Sequence, residues 1–228
     1  MPTSPPQQLH IAIIPDGNRR WAKQRALHPW KGHEQAVENF RSLTEWCRKD
    51  PRVGTLTVWC FSTENWKRDP KEIEELMKML ERYLAKERKG FIDQKTRFLH
   101  SGRRDRIPPS LTKLLEEVTE ETKDQTEFTL HLAVDYGGKD EILRALNKVQ
   151  TGRPVTDEAL RGALDHPDLP DIDLIVRTSG EMRTSNFFLW QSTYAEWAFI
   201  DMLFPDFTAK DLATAVDSFA ARARRFGS

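Results

Sequence analysis

His10-Ile-Ala-Ile-Ile-Pro-Asp-Gly-Asn-Arg-Arg-Trp21 is the stretch that decides the fold. Ile11 to Ile14 read as a strand buried on both faces, the pattern of a parallel sheet. Pro15 ends it, because proline cannot donate to a ladder. Gly17 lets the backbone turn sharply, and a helical pattern follows. In an open α/β sheet, ligands bind at the carboxyl ends of strands. Asp16 therefore stands where a metal ion or a phosphate would be handled, with Asn18, Arg19 and Arg20 next to it as donors. Asp-Gly-Asn is also an ordinary turn signal, so this segment alone leaves both readings open.

The same alternation continues along the chain. Strands are expected at Ile11–Ile14, Leu56–Phe61, Arg97–His100, Thr129–Val134 and Leu174–Val176, with a last one near Trp197–Ile200. Between them apolar residues recur at steps of three or four, the helical period. Val37, Phe40, Leu43 and Cys47 mark one helix, and Ile73, Leu76, Met77, Leu80 and Leu84 the next. Ser110 is expected to cap a third, with Leu111, Leu114, Leu115 and Val118 facing inward. Further helices are expected over Asp140–Val149, Asp157–Leu164 and Ala209–Arg224. The fold class is α/β: a single domain with a mostly parallel central sheet covered by helices on both faces. Residues 1–9 read as a loose Pro-rich tail and 10–228 as one catalytic domain.

Bulk composition excludes several classes. Lys+Arg and Asp+Glu are both 35, so no overall basic footprint marks a nucleic-acid binder. Cys47 and Cys60 have no metal-ligand spacing and form no disulfide framework, which suits a cytoplasmic protein. No apolar run approaches a membrane span, and the N-terminus lacks the regions of a signal peptide.

Two more strand ends carry chemistry. After the second strand come Ser62-Thr63-Glu64-Asn65-Trp66-Lys67-Arg68; this is a capped loop or a second wall of one site. After the fifth come Arg177-Thr178-Ser179-Gly180-Glu181-Met182-Arg183-Thr184-Ser185-Asn186. Guanidinium forks and hydroxyls suit a diphosphate; a surface salt-bridge loop is the plainer reading. Glu196, Asp201 and Asp206 add acids beside an aromatic wall, and His33 starts a helix close to the same mouth. Three such clusters suggest two anionic groups, a divalent metal and an apolar pocket. No P-loop or dinucleotide fingerprint is present.

Together these residues resemble the cis-prenyltransferases, the undecaprenyl diphosphate synthase family. The resemblance runs from about His10 to Phe226, through Asp-Gly-Asn-x-Arg-Trp-Ala, Phe-Ser-x-Glu-Asn-Trp, Tyr136-Gly137-Gly138, Arg-Thr-x-Gly-Glu and Ser-Asn-Phe. It implies a homodimeric, Mg²⁺-dependent transferase of isoprenyl diphosphates. Asp16 and Glu196 would hold the metal. Gly17, Asn18, Arg19, Arg20, Trp21 and His33 would cradle the allylic diphosphate. Ser62 and Asn65 would act near the reacting carbons, with Trp66 and Arg68 at the mouth. Arg177, Arg183 and Ser185 would bind the second diphosphate. Arg225 and Gly227 match a tail that completes the partner's site, and Val53–Ser62 with Trp190–Phe204 would contribute to the dimer face.

The chain departs from that family pattern at three positions near the allylic site: Pro15 for Met, Arg19 for Gly and Pro29 for Arg. The helix after Asn65-Trp66 carries Lys78, Glu81, Arg82, Lys86, Glu87 and Arg88, leaving one apolar stripe, as core packing alone requires. A short product is expected. These features look most like the short lavandulyl-type branch, the cyclolavandulyl diphosphate synthases, which join two dimethylallyl diphosphates. Ordinary head-to-tail elongation with isopentenyl diphosphate is the alternative. A non-catalytic accessory subunit is a remote one, because Asp16 and Asn65 are both present.

Overall fold

A computed structural model describes residues 8–149 and 154–222. Among the described residues six strands lie in the order β3-β4-β2-β1-β5-β6, and every pair is parallel. They are β1 (Leu9–Ile14), β2 (Val53–Ser62), β3 (Thr96–Ser101), β4 (Phe128–Tyr136), β5 (Leu174–Arg177) and β6 (Glu196–Phe199). The helices are α1 (Asn18–Gln24), α2 (Pro29–Lys49), α3 (Pro70–Asp93), α4 (Pro109–Glu121), α5 (Gly138–Lys148), α6 (Asp157–Ala163) and α7 (Ala209–Ala220). All six expected strands form. β1 begins at Leu9, inside the stretch read as tail, because Leu9 pairs with Val53. The tail's first seven residues, and Arg224 at the end of the last expected helix, lie outside the described residues.

The chain crosses from β1 to β2 on one side and returns to β5 on the other. β1 is thus flanked by strands reached in opposite directions, which opens a crevice at the carboxyl ends. β1 buries both faces by its period of two. Ile11 and Ile13 join a core with Phe40, Leu43, Leu76 and Val216, while Ala12 and Ile14 meet Tyr136, Phe187 and Phe188.

Helix starts follow local chemistry. Pro29 and Pro70 occupy first-turn positions, where the missing N–H costs nothing. Asp69 caps α3 through the Lys71 amide at 2.8 Å. Ser110 is not the cap of α4. Pro109, with its preset φ, is its first residue, and Pro108 holds the cap position two residues before Ser110. Gly32 of α2 sits against α1 so closely that a Cβ would come 2.0 Å from the Asn18 carbonyl oxygen.

β2 lies in the middle of the sheet with strands on both sides. Its assignment to a dimer face is therefore corrected: Leu56, Thr57 and Val58 are buried within the chain. Across the same strands runs a polar ladder. His10 Nδ1 faces the Pro170 carbonyl at 2.8 Å, an acceptor only, so Nδ1 carries the proton. His10 Nε2 then accepts from the Thr57 hydroxyl at 2.6 Å. Thr57 accepts from His131 Nδ1 at 3.0 Å, and His131 Nε2 accepts from Ser101 at 2.8 Å. The ladder closes only if both imidazoles are neutral.

Candidate active site

The site forms where β1, β2 and β5 end. Gly17 takes a left-handed φ of 100°, and a Cβ there would lie 2.7 Å from Leu203. The turn this permits aims the Asp16 carboxylate into the crevice. Its Oδ1 accepts the Gly17 amide at 2.7 Å, and its Oδ2 accepts Arg177 Nη2 at 2.9 Å. Thr178 fixes the backbone beneath, accepting from the Asp16 amide at 2.9 Å. Arg177 is 3% exposed, and its other terminal nitrogen donates to Ser185 Oγ at 2.7 Å and to the Arg183 carbonyl.

Two connected cavities make up the mouth. The outer one, about 580 Å³, is polar and lined by Asp16, Ser62, Asn65, Arg68, Arg177, Arg183 and Ser185 among others. The inner one, about 80 Å³, is apolar and lined by Phe40, Val58, Leu76, Met79, Leu80 and Tyr83. Pro15, Asn18, His33 and Cys60 line both, so they form the throat between them. Burial pushes the Cys60 thiol up to about 12, which leaves it a protonated apolar surface. Among the described residues, four buried polar atoms at this end have no hydrogen-bond partner: Asn18 Oδ1, His33 Nε2, Arg177 Nε and Ser179 Oγ. Native interiors rarely leave such groups unpaired, so their gathering makes this end the candidate ligand site.

The sequence clusters converge as expected, with exceptions. Ser62 and Asn65 cap each other reciprocally at the start of a 3-10 turn, Thr63–Lys67, with the Ser62 amide donating to Asn65 Oδ1 at 3.1 Å. Trp66 points away from the mouth and donates to Asp135 Oδ1 at 2.8 Å. Trp21 donates to Asp206 at 2.7 Å and lines an outer groove. Arg20 reaches the Ser179 carbonyl at 3.3 Å and Glu181 at 3.4 Å. Arg19 is drawn back to Glu72 at 3.6 Å and lines neither cavity. Gly17 caps α1 with no side-chain partner for its first-turn amides.

Glu196 does not meet Asp16 within this chain. It pairs in register with Leu174, at the amino end of β5, whereas Arg177 pairs with Phe199. Three residues of strand separate them, about 10 Å, and Glu196 instead accepts from Arg222 at 2.7 Å. Arg225 and Gly227 lie outside the described residues. Among the described residues no three His, Cys, Asp or Glu side chains gather as a metal cage. Asp16, one-third exposed at the crevice, still fits Mg²⁺, which is commonly held by one or two carboxylates plus substrate phosphates.

Sequence reasoning assigned no site role to three residues, although Asn186 lay within the cluster after the fifth strand. Asn186, left-handed at φ 71°, accepts the Gly138 and Lys139 amides at 2.7 and 2.8 Å and donates to Glu64 at 3.1 Å. Glu72 pairs with Arg19, His33 and Arg68; in sequence it reads as an acid in the first turn of a helix. Cys60 reads as strand core. The apolar face of α3 is also wider than expected, since Met79 and Tyr83 are buried beside Leu76 and Leu84.

The family model described as putative undecaprenyl diphosphate synthase matches residues 14–227. The chain belongs to this family. It is a prenyltransferase. It is 42% identical to an isoprenyl transferase of Treponema pallidum over 96% of this chain and 98% of that one. With that of Fusobacterium nucleatum it shares 44%, over 96% and 95%. Its fold matches lavandulyl diphosphate synthase from Lavandula x intermedia, solved with dimethylallyl diphosphate, at a TM-score of 0.90 and 32% identity, over 96% and 98% of the chains. A probable undecaprenyl diphosphate synthase from Campylobacter jejuni matches at 0.82 and 32%, over 97% and 99%.

Proposed function

We propose that this prenyltransferase condenses two five-carbon diphosphates into a short, ten-carbon product. The observation that carries the reading is the join between a polar mouth of about 580 Å³ and a small apolar cavity of about 80 Å³. Ordinary ligand pockets hold about 300–1,000 Å³, so the inner cavity suits a short prenyl tail and not a chain of many units. Asp16 would hold Mg²⁺ together with diphosphate oxygens. The metal, when bound, supplies charge neutralisation to a departing diphosphate. Arg68 and His33 would bind the allylic diphosphate, and Arg177, Arg183 and Ser185 the second. Asn65 and Ser62 would steady the reacting carbons and the departing proton. Trp59, 5.0 Å from Phe187 by ring centroids, and Cys60 would exclude water from the developing cation.

Two couplings each have an observation behind them. The fold match to lavandulyl diphosphate synthase, with the altered residues Pro15, Arg19 and Pro29, favours joining two dimethylallyl diphosphates, with or without ring closure. The higher identity to isoprenyl transferases favours head-to-tail addition of isopentenyl diphosphate. Incubation with Mg²⁺ and dimethylallyl diphosphate alone, then with isopentenyl diphosphate added, separates them. A C10 product from the first mixture supports irregular coupling; product only from the second supports elongation. Products of many units would overturn the short-chain reading.

We further propose a homodimer. The half-buried edge strand β6, where Trp197 and Phe199 stack at 5.5 Å, suits a partner surface. Sedimentation at micromolar concentration tests it, and a monomer there would dismiss it.

A further inference from the structure

Two guanidinium groups and an imidazole, from three segments, converge on one carboxylate. Arg68, at the end of the 3-10 turn, donates from Nη1 to Glu72 Oε1 at 3.3 Å. His33 of α2 places Nε2 at 3.7 Å from the same oxygen. Arg19 of α1 places Nε at 3.6 Å from Oε2. The Glu72 side chain is only 8% exposed. A carboxylate so buried persists when it is paired, and here the pairing also holds together two guanidiniums, Arg19 and Arg68, that repel one another. His33 above all, with Arg19 and Arg68, keeps the Glu72 carboxyl below its ordinary range against the opposing effect of burial.

Glu72 itself lines neither cavity, whereas Arg68 and His33 both line the polar mouth beside Asp16. His33 Nε2 is buried and, among the described residues, faces Glu72 at 3.7 Å with no atom within hydrogen-bond distance. Asp16 is the other acid that acts on Arg68, and Arg19 opposes it as a like charge.

We propose that Glu72 is a positioning residue of the diphosphate site, holding the Arg68 fork and the His33 ring toward the mouth before substrate arrives. The inference rests on the prenyl diphosphate reading. Its energetic logic is preorganisation: a guanidinium tethered in place loses less freedom on binding than one ordered by the ligand. A mere counter-charge would act with the opposite sign. Removing it would raise the local positive potential and tighten an anion.

The Glu72→Gln variant separates the two, because it keeps the shape and removes the charge. Full-length protein with Mg²⁺ is titrated with inorganic diphosphate by calorimetry, and kcat and KM are measured with the allylic diphosphate. Glu72→Gln is expected to weaken diphosphate binding and raise KM about tenfold, with kcat within about threefold. In an Arg68→Gln background the further loss should be under about twofold, because Glu72 then has less to position. Unchanged or tighter binding overturns the proposal, as does the same tenfold loss in both backgrounds. Should Glu72→Gln fold poorly, Glu72→Asp keeps the charge and shortens the reach; about a threefold rise in KM is expected, and no rise overturns it. A wild-type protein that binds diphosphate but makes no prenyl product would fail the functional reading and leave the calorimetric test of Glu72 intact.

Discussion

Arg177 Nη2 donates to Asp16 Oδ2 across 2.9 Å, joining the carboxyl end of β5 to that of β1. The pair unites two clusters 161 residues apart in the chain. It also neutralises the carboxylate that would serve a metal, so metal and diphosphate are expected to enter together.

Asp16→Ala should lower turnover by at least about a hundredfold, the scale of losing one group that stabilises developing charge. Chelation of Mg²⁺ should abolish activity and added Mg²⁺ restore it. Mn²⁺ binding followed by electron paramagnetic resonance should be weak without diphosphate, strengthen with it, and be lost in Asp16→Ala. Full activity of the variant would turn the reading toward an accessory role.

Val37, Met79 and Tyr83 line both the inner cavity and an outer groove of about 620 Å³. They are a wall one side chain thick. Met79→Ala should open it, lengthen the products seen by mass spectrometry when isopentenyl diphosphate is supplied, and cost about 2–5 kcal/mol of stability. An unaltered product distribution would show that the wall does not limit length.

Stability should fall with acid. Burial lowers the pKa of His10 to about 4 and of His100 to about 4, and pushes His131 well below its ordinary value. Below pH 6.5 the unfolded chain takes up protons that the folded chain refuses, so unfolding is favoured as pH drops from 6.5 toward 4. Urea midpoints measured from pH 7.5 to 4.5 should decline across that window. His10→Gln should reduce the slope; an identical slope would place the acid sensitivity elsewhere.

Asp135 is fully buried in a left-handed conformation, φ 51°, and its carboxylate takes both Trp66 Nε1 and the Arg106 fork. Arg106→Gln strands that charge. Because Arg106 is 38% exposed, the cost should lie below the 3–5 kcal/mol of a fully buried pair, at about 2 kcal/mol. Trp66 should become more accessible to a fluorescence quencher. Unchanged stability and quenching would mean that water replaces the guanidinium.

Much of the fold was legible because buried parallel strands and amphipathic helices write their periods directly into the chain. The three clusters were legible because strand ends in such a sheet share one crevice. Glu72 was not, since an acid in a first helical turn already has a local explanation. Arg19 misled in the other direction: next to Asp16 in sequence, it turns away to Glu72. The apolar face of α3 also looked like one stripe, because burial of Met79 and Tyr83 depends on what α2 places opposite them.

The sequence by itself determined the parallel α/β sheet, the family and the placing of Asp16, Asn65 and Arg177 at strand ends. Those follow from local periodicity and from motifs that each occupy a few consecutive residues. Only the tertiary structure decided which charges meet. Arg177 against Asp16, two guanidiniums and an imidazole on Glu72, the distance of Glu196 from Asp16 and the apolar cavity behind Cys60 all depend on strand order and helix packing. Chain distance carries no record of those contacts, because a salt bridge or a cavity wall is set by spatial separation of a few ångströms between segments that the chain keeps far apart.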